Sequence, residues 1–363
     1  MTPVPVVLVA GIDAAAMEIT TLAAQWDVPR TAVVRHDLDP ASGTLTRVVS
    51  SADGVLETHV VHLDHGCTAC ALREDVLPTL LRLAHSGRWD VLVAHLPTTA
   101  DPVLVTRAME TSVVDGRPLR ESARVGSVVV AVDGEHLVDD VLGDDHLVDR
   151  GLGTSPEDDR GVGETLAGQL EYADVVVLTT EPDGTGRELL EALRRPDCGV
   201  VDRPSDLDGT VLVAGVRSVR RADAWIDPLG AHAGPLRGGD VVWTRTLESW
   251  RPFHPERLVQ NIELLGGGPR RSRGCFWVPG RTTAALWDGA GGQLCVGPCS
   301  SWGDRAPHTR IAVCGVDDDV AELEAAFEAT LMTDAELAAG LGRWQGRPDG
   351  LEPWLGAVDD QAA

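Results

Sequence analysis

Short runs of valine and leucine alternate with helical stretches over the first two hundred residues. Strands buried on both faces of a sheet appear as continuous apolar runs, and strands interleaved with helices form a mostly parallel sheet. The pattern therefore predicts an α/β domain over residues 1–216. The predicted strands are Val4–Ala10, Thr31–His36, Thr58–Asp64, Val91–Leu96, Val125–Val132 and Val175–Thr180, and the predicted helices include Ala14–Trp26, Leu72–His85 and Gly186–Arg195.

Two segments of this region depart from the alternation. Thr44–His62 alternates apolar and polar residues and contains the turn pair Asp53-Gly54, which predicts a hairpin or an edge strand. Asp139–Glu164 is polar and acidic, and we expect it to form a loop.

The pattern changes after residue 216. Residues 217–237 contain two prolines and several glycines, and they predict a short helix followed by a linker. Residues 238–363 carry short strands and two helices, Pro255–Leu265 and Asp319–Leu331, which predicts a smaller α+β domain. We therefore expect two domains, 1–216 and 238–363, joined by a linker at 217–237.

Composition supports a soluble, globular protein. The 363 residues are 43% hydrophobic and 24% charged, and no apolar run is long enough to span a bilayer. The first residues lack the positive charge and the long apolar run of a secretory signal, so we expect a cytoplasmic protein. The seven cysteines are an odd number, which favours reduced thiols over a disulfide framework.

The charged residues are unusual in kind and in number. The chain has 31 basic residues against 56 acidic ones, a formal charge of −25, and every basic residue is an arginine. Such a balance excludes a protein that coats nucleic acid over its whole surface. The local charge reverses in segment 237–281, which contains eight arginines and only four acidic residues. These arginines are either ion-paired or solvated, or they form a face for RNA or an acidic partner; they are Arg237, Arg245, Arg251, Arg257, Arg270, Arg271, Arg273 and Arg281.

The end of the first predicted strand is where a phosphate-binding loop would lie. A working loop, G-x-x-x-x-G-K-[ST], needs backbone N–H groups around the phosphates, a lysine, and a hydroxyl for Mg²⁺. Counting from Gly11, Met17 occupies the lysine place and Glu18 the hydroxyl place, and Asp13 adds a second negative charge. Because the chain contains no lysine, we expect no GTP or ATP hydrolysis by the ordinary P-loop mechanism. We take Gly11, Asp13, Met17, Thr20 and Thr21 as candidate positions of the former nucleotide site.

A pair of cysteines follows the third predicted strand. Cys67 and Cys70 precede a helix, whose positive dipole end favours the thiolate that a metal binds. Two sulfurs are half of a tetrahedral zinc shell, and His65, or His62 or His59 on the same run, can supply a third ligand. The alternatives are idle cysteines or a redox pair. In the second domain, Cys295 and Cys299 with Cys275 or Cys314 could form another site, but we expect them to pack in the core.

Several segments together resemble the CobW family of P-loop GTPases. His65–Asp75 is similar to the family's metal motif G-C-x-C-C-x-L-R, with Ala69 in place of the middle cysteine. His95–Pro102 resembles E-x-[ST]-G-x-A-D-P, with His95 at the acidic position, where we interpret it as a hydrogen-bonded histidine rather than a catalytic one. Gln169–Leu178 resembles the approach to the guanine-specificity motif N-K-x-D, and Thr179–Pro182 replaces that motif.

Three segments of the second domain resemble the CobW C-terminal domain: Arg251–Arg257, Arg273–Trp277 and Trp287–Gly292. The resemblance implies a P-loop NTPase-like sheet flanked by helices, with a CobW C-terminal domain after it. It also adds Asp101 to the candidate nucleotide positions.

Within the family, the chain looks most like the branch that recruits a ribosome hibernation factor under zinc limitation. The resemblance thus implies a zinc-responsive adaptor with zinc as cofactor, the hibernation factor and the ribosome as partners, and RNA contact through segment 237–281. A GTP-dependent zinc metallochaperone, in which Arg73 or another arginine replaces the lysine, is the enzyme alternative. A zinc sensor that does not contact the ribosome is the third possible function.

Overall fold

The computed structural model describes residues 2–39, 41–63, 68–114, 116–155, 157–231, 241–316 and 320–358, with the side chains of Thr68 and Ala69 left out. The chain divides into two compact units. The first comprises Met1–Leu137, Asp145–Gly186 and Arg194–Ala222, and the second comprises Val138–Asp144, Arg187–Leu193 and Asp223–Ala363. In the described part of the chain, no helix is both long enough and apolar enough to cross a membrane.

The first unit is built on a twisted sheet of eight strands in the order β10-β9-β8-β1-β5-β2-β3-β4. Strands β10 to β2 in that order run parallel to one another, and β3 and β4 add an antiparallel hairpin at one edge. The hairpin predicted at Thr44–His62 is therefore confirmed. The strands are β1 (Val4–Gly11), β2 (Thr31–Asp39), β3 (Thr44–Ser51), β4 (Gly54–His62), β5 (Val91–His95), β8 (Ala123–Val132), β9 (Val175–Leu178) and β10 (Gly199–Val201), with β6 (Val113–Val114) and β7 (Arg117–Pro118) as a separate short pair.

The central strands are apolar because both faces of the sheet are covered. On β1, Val7 and Val9 pack in one cluster with Met17 of the following helix, while Val6 and Leu8 on the opposite face are equally buried. β1 lies between β5 and β8, so its carboxyl end is in the middle of the sheet, where ligands bind in folds of this type.

Helices and helical turns connect these strands. They are α1 (Ala14–Trp26), α2 (Thr68–Ala71), a π-helical turn (Leu72–Val76), α3 (Leu77–His85), α4 (Pro102–Thr111), α5 (Leu137–Leu142), α6 (Val162–Tyr172), α7 (Gly184–Leu193), α8 (Gly209–Ala214) and α9 (Val219–Ile226). The prediction of a loop over Asp139–Glu164 was wrong at both ends, because α5 ends and α6 begins inside that segment. Both helices have apolar positions, such as Val141 and Val162, that are buried despite the surrounding acids.

The second unit contains a five-stranded antiparallel sheet in the order β11-β15-β12-β13-β14. Its core brings together Phe253, Phe276, Trp287 and Phe327 with aliphatic side chains of two helices. The α/β plus α+β fold class is thus confirmed. The elements are β11 (Trp243–Ser249), α10 (Pro255–Gly266), β12 (Arg270–Phe276), β13 (Thr283–Ala290), β14 (Gln293–Ser301), β15 (Thr309–Gly315), α11 (Val320–Thr330), α12 (Asp334–Ala338) and α13 (Glu352–Leu355).

Candidate nucleotide and zinc sites

The connection between β1 and α1 is very short. Only Ile12 and Asp13 separate the strand from the helix. Asp13 is the N-cap of α1: its carboxylate accepts a hydrogen bond from the N–H of Ala16 at 2.6 Å, and its carbonyl oxygen accepts one from the N–H of Met17 at 3.0 Å. A helix N-terminus binds a phosphate through N–H groups that have no partner in the chain. Here the chain itself supplies an anion at that position.

Met17 and Gly11 fill the space beneath this connection. The side chain of Met17 is fully buried, and a Cβ atom added to Gly11 would lie 2.9 Å from its Cγ atom and 2.8 Å from the carbonyl oxygen of Ala131. The carbonyl oxygen of Gly11 accepts hydrogen bonds from the N–H of Thr99 at 2.9 Å and from the side-chain amide of Gln169 at 3.4 Å. The glycine at this position therefore serves close packing between strand, helix and loop.

Thr21 and His95 form a buried pair at the carboxyl end of β5. The Thr21 hydroxyl lies 2.9 Å from Nδ1 of His95, and both side chains are buried. Burial, reinforced by the positive charge of Arg35, lowers the pKa of His95 to about 4. His95 is therefore neutral near pH 7, and in the tautomer with the proton on Nε2 its Nδ1 atom accepts a hydrogen bond from the Thr21 hydroxyl. The neighbouring Thr20 hydroxyl is buried and has no hydrogen-bond partner among the described residues.

Asp101 acts as a helix cap. Its carboxylate accepts a hydrogen bond from the N–H of Val103 at 2.7 Å at the start of α4, and burial raises its pKa. The sequence placed it at the nucleotide site, and the structure gives it the same capping role that Asp13 has on α1.

The arginines near this region are paired with acids. Arg160 makes a two-pronged ion pair with Asp158, with N–O distances of 2.8 and 2.7 Å, and it also donates to the carbonyl oxygen of Thr99. Arg35 pairs with Asp37 at 2.9 Å and with Glu18 at 3.5 Å. A phosphate at this site would have to compete with these carboxylates for each guanidinium.

Arg73, the arginine named as a replacement for the lysine, has a largely exposed side chain, 74% accessible, and it contacts Glu74 at 3.2 Å. Its Nη2 atom also lies 3.8 Å from the sulfur of Cys70. These contacts place its charge beside the cysteine.

The segment Thr179–Pro182, where the family resemblance would place the guanine-specificity motif, is held by contacts within the first unit. The Thr180 hydroxyl donates a hydrogen bond to the carboxylate of Asp133. Gly134 packs so closely that an added Cβ atom would lie 2.3 Å from the carbonyl oxygen of Thr180 and 2.7 Å from the nitrogen of Pro182. These contacts fix the segment against the end of β8.

Of the three predicted zinc ligands, the structure describes Cys70; His65 and Cys67 lie outside the described residues. Cys70 is buried, and Nη2 of Arg73 lies 3.8 Å from its sulfur. Within the described ranges, no group of three or more histidine, cysteine, aspartate or glutamate side chains could hold a metal ion. A zinc site here would need ligands from the segment between Leu63 and Thr68.

A buried polar network beside the cysteine helix was missed from the sequence. Asp75 contacts Nε2 of His36 at 2.9 Å and also forms an ion pair with Arg47, which donates to Thr79 at 3.0 Å. Burial acts to raise the pKa of Asp75, but the hydrogen bond with His36 and the charge of Arg47 outweigh it, so the pKa is lowered. His36 and Arg47 are paired across β2 and β3, so their polar character inside an apolar sheet edge was a usable signal.

The arginines of segment 237–281 make bonds within the second unit; Arg237 lies outside the described residues. Arg281 forms a two-pronged, buried ion pair with Asp349, with N–O distances of 2.7 and 2.9 Å. Arg270 is buried. The remaining pairs are Arg245 with Glu324, Arg251 with Glu328, Arg257 with Glu336, Arg271 with Asp288, and Arg273 with the carbonyl oxygen of Trp225.

The cysteines of the second unit occupy different environments. Cys275 packs with Leu229, Ala284 and Trp302, and burial raises its pKa to about 12. Its sulfur lies 3.9 Å from Nε2 of His308. A buried thiol such as that of Cys275 packs as a small apolar side chain. Cys295, in contrast, is exposed.

Two family models match the chain. The model described as the nucleotide-binding domain of CobW, HypB and UreG matches residues 19–194, and the model of the cobalamin synthesis protein CobW C-terminal domain matches residues 242–331. The first match begins at residue 19 and leaves out Gly11–Glu18, the segment where the phosphate loop would lie.

Two relatives of this chain have names that refer to zinc. A Mycobacterium tuberculosis protein named zinc chaperone Rv0106 is 30% identical over 96% of this chain and 93% of its own length. The zinc-regulated GTPase metalloprotein activator 1 of Dictyostelium discoideum is 22% identical over 79% of this chain and 69% of its own. Among solved structures, Zn(II)-bound YjiA GTPase from E. coli is 18% identical and covers 91% of this chain and 99% of its own, with a TM-score of 0.35.

Proposed function

We propose that this chain, which belongs to the family of CobW nucleotide-binding proteins with a CobW C-terminal domain, is a zinc-responsive adaptor. We also propose that it has little or no GTP hydrolysis. Its proposed partners are a ribosome hibernation factor and the ribosome. The names of its relatives support the link to zinc. The resemblance of its motifs to the hibernation-factor branch supports the choice of partner.

The observation that carries the loss of GTP hydrolysis is the Asp13 cap on α1. Its carboxylate occupies the anion position at the helix N-terminus, bonded to Ala16 at 2.6 Å. Asp13 is exposed to solvent, so a phosphate oxygen about 4 Å from its carboxylate would be repelled by about 1 kcal/mol in water, and by more once a bound nucleotide excludes that water. No lysine is present to offset that repulsion. The residues of this chain therefore do not fit a Mg²⁺-bound triphosphate.

Isothermal titration with GTP and Mg²⁺ tests this part of the proposal. We expect no heat of binding and no phosphate release from the wild-type protein. The Asp13→Asn variant keeps the cap and removes the charge, so it separates repulsion from the loss of the lysine. Micromolar binding with turnover by the wild type would refute the proposal and favour the GTP-dependent zinc metallochaperone.

Zinc titration tests the metal part. We expect one site in the wild type that is lost in Cys67→Ala and in Cys70→Ala. Cys295→Ala is the matched control, since Cys295 is exposed and lies in the second unit. A zinc stoichiometry that does not change in either of the first two variants would contradict a site at this motif.

Sucrose-gradient cosedimentation with ribosomes from zinc-poor and zinc-replete cells tests the partner. We expect association that depends on zinc status in the wild type and that changes in Cys70→Ala. Zinc binding without any cosedimentation would instead favour the zinc sensor.

We also propose that any contact with ribosomal RNA through segment 237–281 uses Arg245 and Arg251. Their acidic partners Glu324 and Glu328 are exposed, and an exposed ion pair is worth at most about 1 kcal/mol, so phosphate can replace it. Arg245→Gln should weaken ribosome association and reduce its dependence on salt concentration. A variant whose ribosome association has the same salt dependence as that of the wild type would refute a contact between Arg245 and RNA.

A further inference from the structure

An open groove with a volume of about 940 Å³ lies in the first unit. It is bordered by the end of α1, the turn between β3 and β4, and the segment before β5. Its apolar side chains are unusually exposed: Trp26 is 89% accessible, Leu22 58% and Leu56 44%. Leu22, Trp26, Pro29, Leu56, Arg88 and Trp89 are among its lining residues.

Helix α1 is apolar on two faces, and the described residues cover only one of them. Ala16, Met17 and Ala24 pack against the sheet. Ile19, Leu22 and Trp26 are exposed and follow one another at intervals of three and four residues, so they form a second stripe along the helix. Soluble proteins rarely expose a contiguous apolar surface of this kind unless another molecule covers it.

The groove lacks the strong negative charge of the chain as a whole. Its lining includes two arginines and one acid, Asp53, whereas the chain has a formal charge of −25. Arg30 is held in place by the carbonyl oxygens of Gly87 and Arg88, each at 3.0 Å, and by Asp90 at 3.6 Å.

Arg88 stacks on the ring of Trp89, with its guanidinium carbon 5.0 Å from the ring centre. Across the described ranges, no carboxylate forms an ion pair with it. Arginine and tryptophan side chains arranged in this way dominate the energy of many protein interfaces. The guanidinium is thus positioned to pair with a carboxylate from outside the chain.

We propose that this groove binds a segment of a partner protein that carries both apolar side chains and carboxylates. The inference rests on the proposed adaptor function and names the chemistry of the segment that an adaptor would hold. The apolar side chains would cover Leu22, Trp26 and Leu56, and a carboxylate would pair with Arg88. A second copy of this chain is a poorer fit, because two molecules of charge −25 repel each other.

A selection of random peptides displayed on phage tests the groove without a known partner. The phage library is first depleted of peptides that bind the Trp26→Ser variant, and the remaining peptides are then selected for binding to the wild-type protein. We expect the selected peptides to combine apolar residues with aspartate or glutamate. Enrichment of basic peptides, or of none that depend on Trp26, would overturn the proposal.

Titration of the selected synthetic peptides then measures each contribution. We expect Trp26→Ser to weaken binding at least about tenfold and Arg88→Gln to weaken it and reduce its salt dependence. Trp250→Ser is the control, because Trp250 is also exposed but lies in the second unit. Circular dichroism checks that each variant is folded. Self-association of the wild type that is lost in Trp26→Ser would assign the groove to a second copy and refute the proposal.

The adaptor function and the groove fail separately. If the wild type does not sediment with ribosomes but binds acidic apolar peptides through Trp26, the adaptor function is refuted and the groove stands. If it sediments with ribosomes but no Trp26-dependent peptide is found, the groove is refuted and the adaptor function stands.

Discussion

Replacing His95 with glutamine should remove a specific part of the pH dependence of stability. His95 is buried at the end of β5, where its Nδ1 atom is hydrogen-bonded to the Thr21 hydroxyl at 2.9 Å. Glutamine can accept the same hydrogen bond but does not titrate. The charged and titratable groups that act on His95 are Arg35, His36 and Asp37, and all three remain in the variant.

The lowered pKa of His95 decides whether stability rises or falls with pH. Burial lowers the pKa of His95 from 6.5 to about 4 in the folded protein. Above pH 6.5 the side chain is neutral in both states, and its full contribution to stability is present. As the pH falls from 6.5 to 4, the unfolded chain binds a proton that the folded protein does not, so stability is lost. Between pH 7 and pH 5 this loss amounts to about 2 kcal/mol.

Hydrogen exchange followed by mass spectrometry measures this effect. It gives the free energy of the unfolding that exposes the backbone amides of β1 and β5, and we compare its values at pH 7 and pH 5. Between these pH values, His95→Gln should lose about 2 kcal/mol less than the wild type. Thr21→Val should cost about 1 kcal/mol at both pH values but keep the wild-type pH response. Equal pH responses of wild type and His95→Gln would show that His95 does not stay neutral in the folded protein.

Three further predictions follow from local contacts. Asp13→Ala should destabilise the first unit by about 1 kcal/mol through loss of the helix cap, whereas Asp13→Asn should not; equal effects in urea unfolding would contradict the capping role. Gly134→Ala should strongly reduce the yield of folded protein, because its Cβ atom would meet the carbonyl oxygen of Thr180 at 2.3 Å; a soluble variant with unchanged unfolding would refute this. At pH 8, Cys295 should react with a thiol reagent much faster than Cys275, whose pKa is raised to about 12; peptide mapping that finds equal labelling would contradict the packing.

The sequence predicted the elements around the candidate site well. The predicted bounds of α1, Ala14–Trp26, are those of the structure, and the strand before it extends one residue further, to Gly11. Apolar periodicity is a local property, so it locates a helix or a strand without knowledge of the rest of the chain. The missing lysine and the acids at positions 13 and 18 are also visible in the sequence alone.

The partners of the site residues could not be predicted in this way. His95 contacts Thr21, which is 74 positions away, and Gln169 reaches the carbonyl oxygen of Gly11 across 158 positions. Asp13 appeared as a misplaced charge in the sequence, and the structure shows it as a helix cap. Which groups meet depends on strand order and register, and no local pattern specifies those.

The sequence by itself determined that this chain folds as an α/β domain followed by an α+β domain, and that the segment after its first strand has no lysine. The tertiary structure alone decided how the remaining charges are used. It paired most of the described arginines of segment 237–281 with acids, as Arg281 is paired with Asp349, and it brought Trp26 and Arg88 together at one groove. The reason is that periodicity reports which side of an element is buried, whereas charge pairing and surface shape arise only when distant elements pack together.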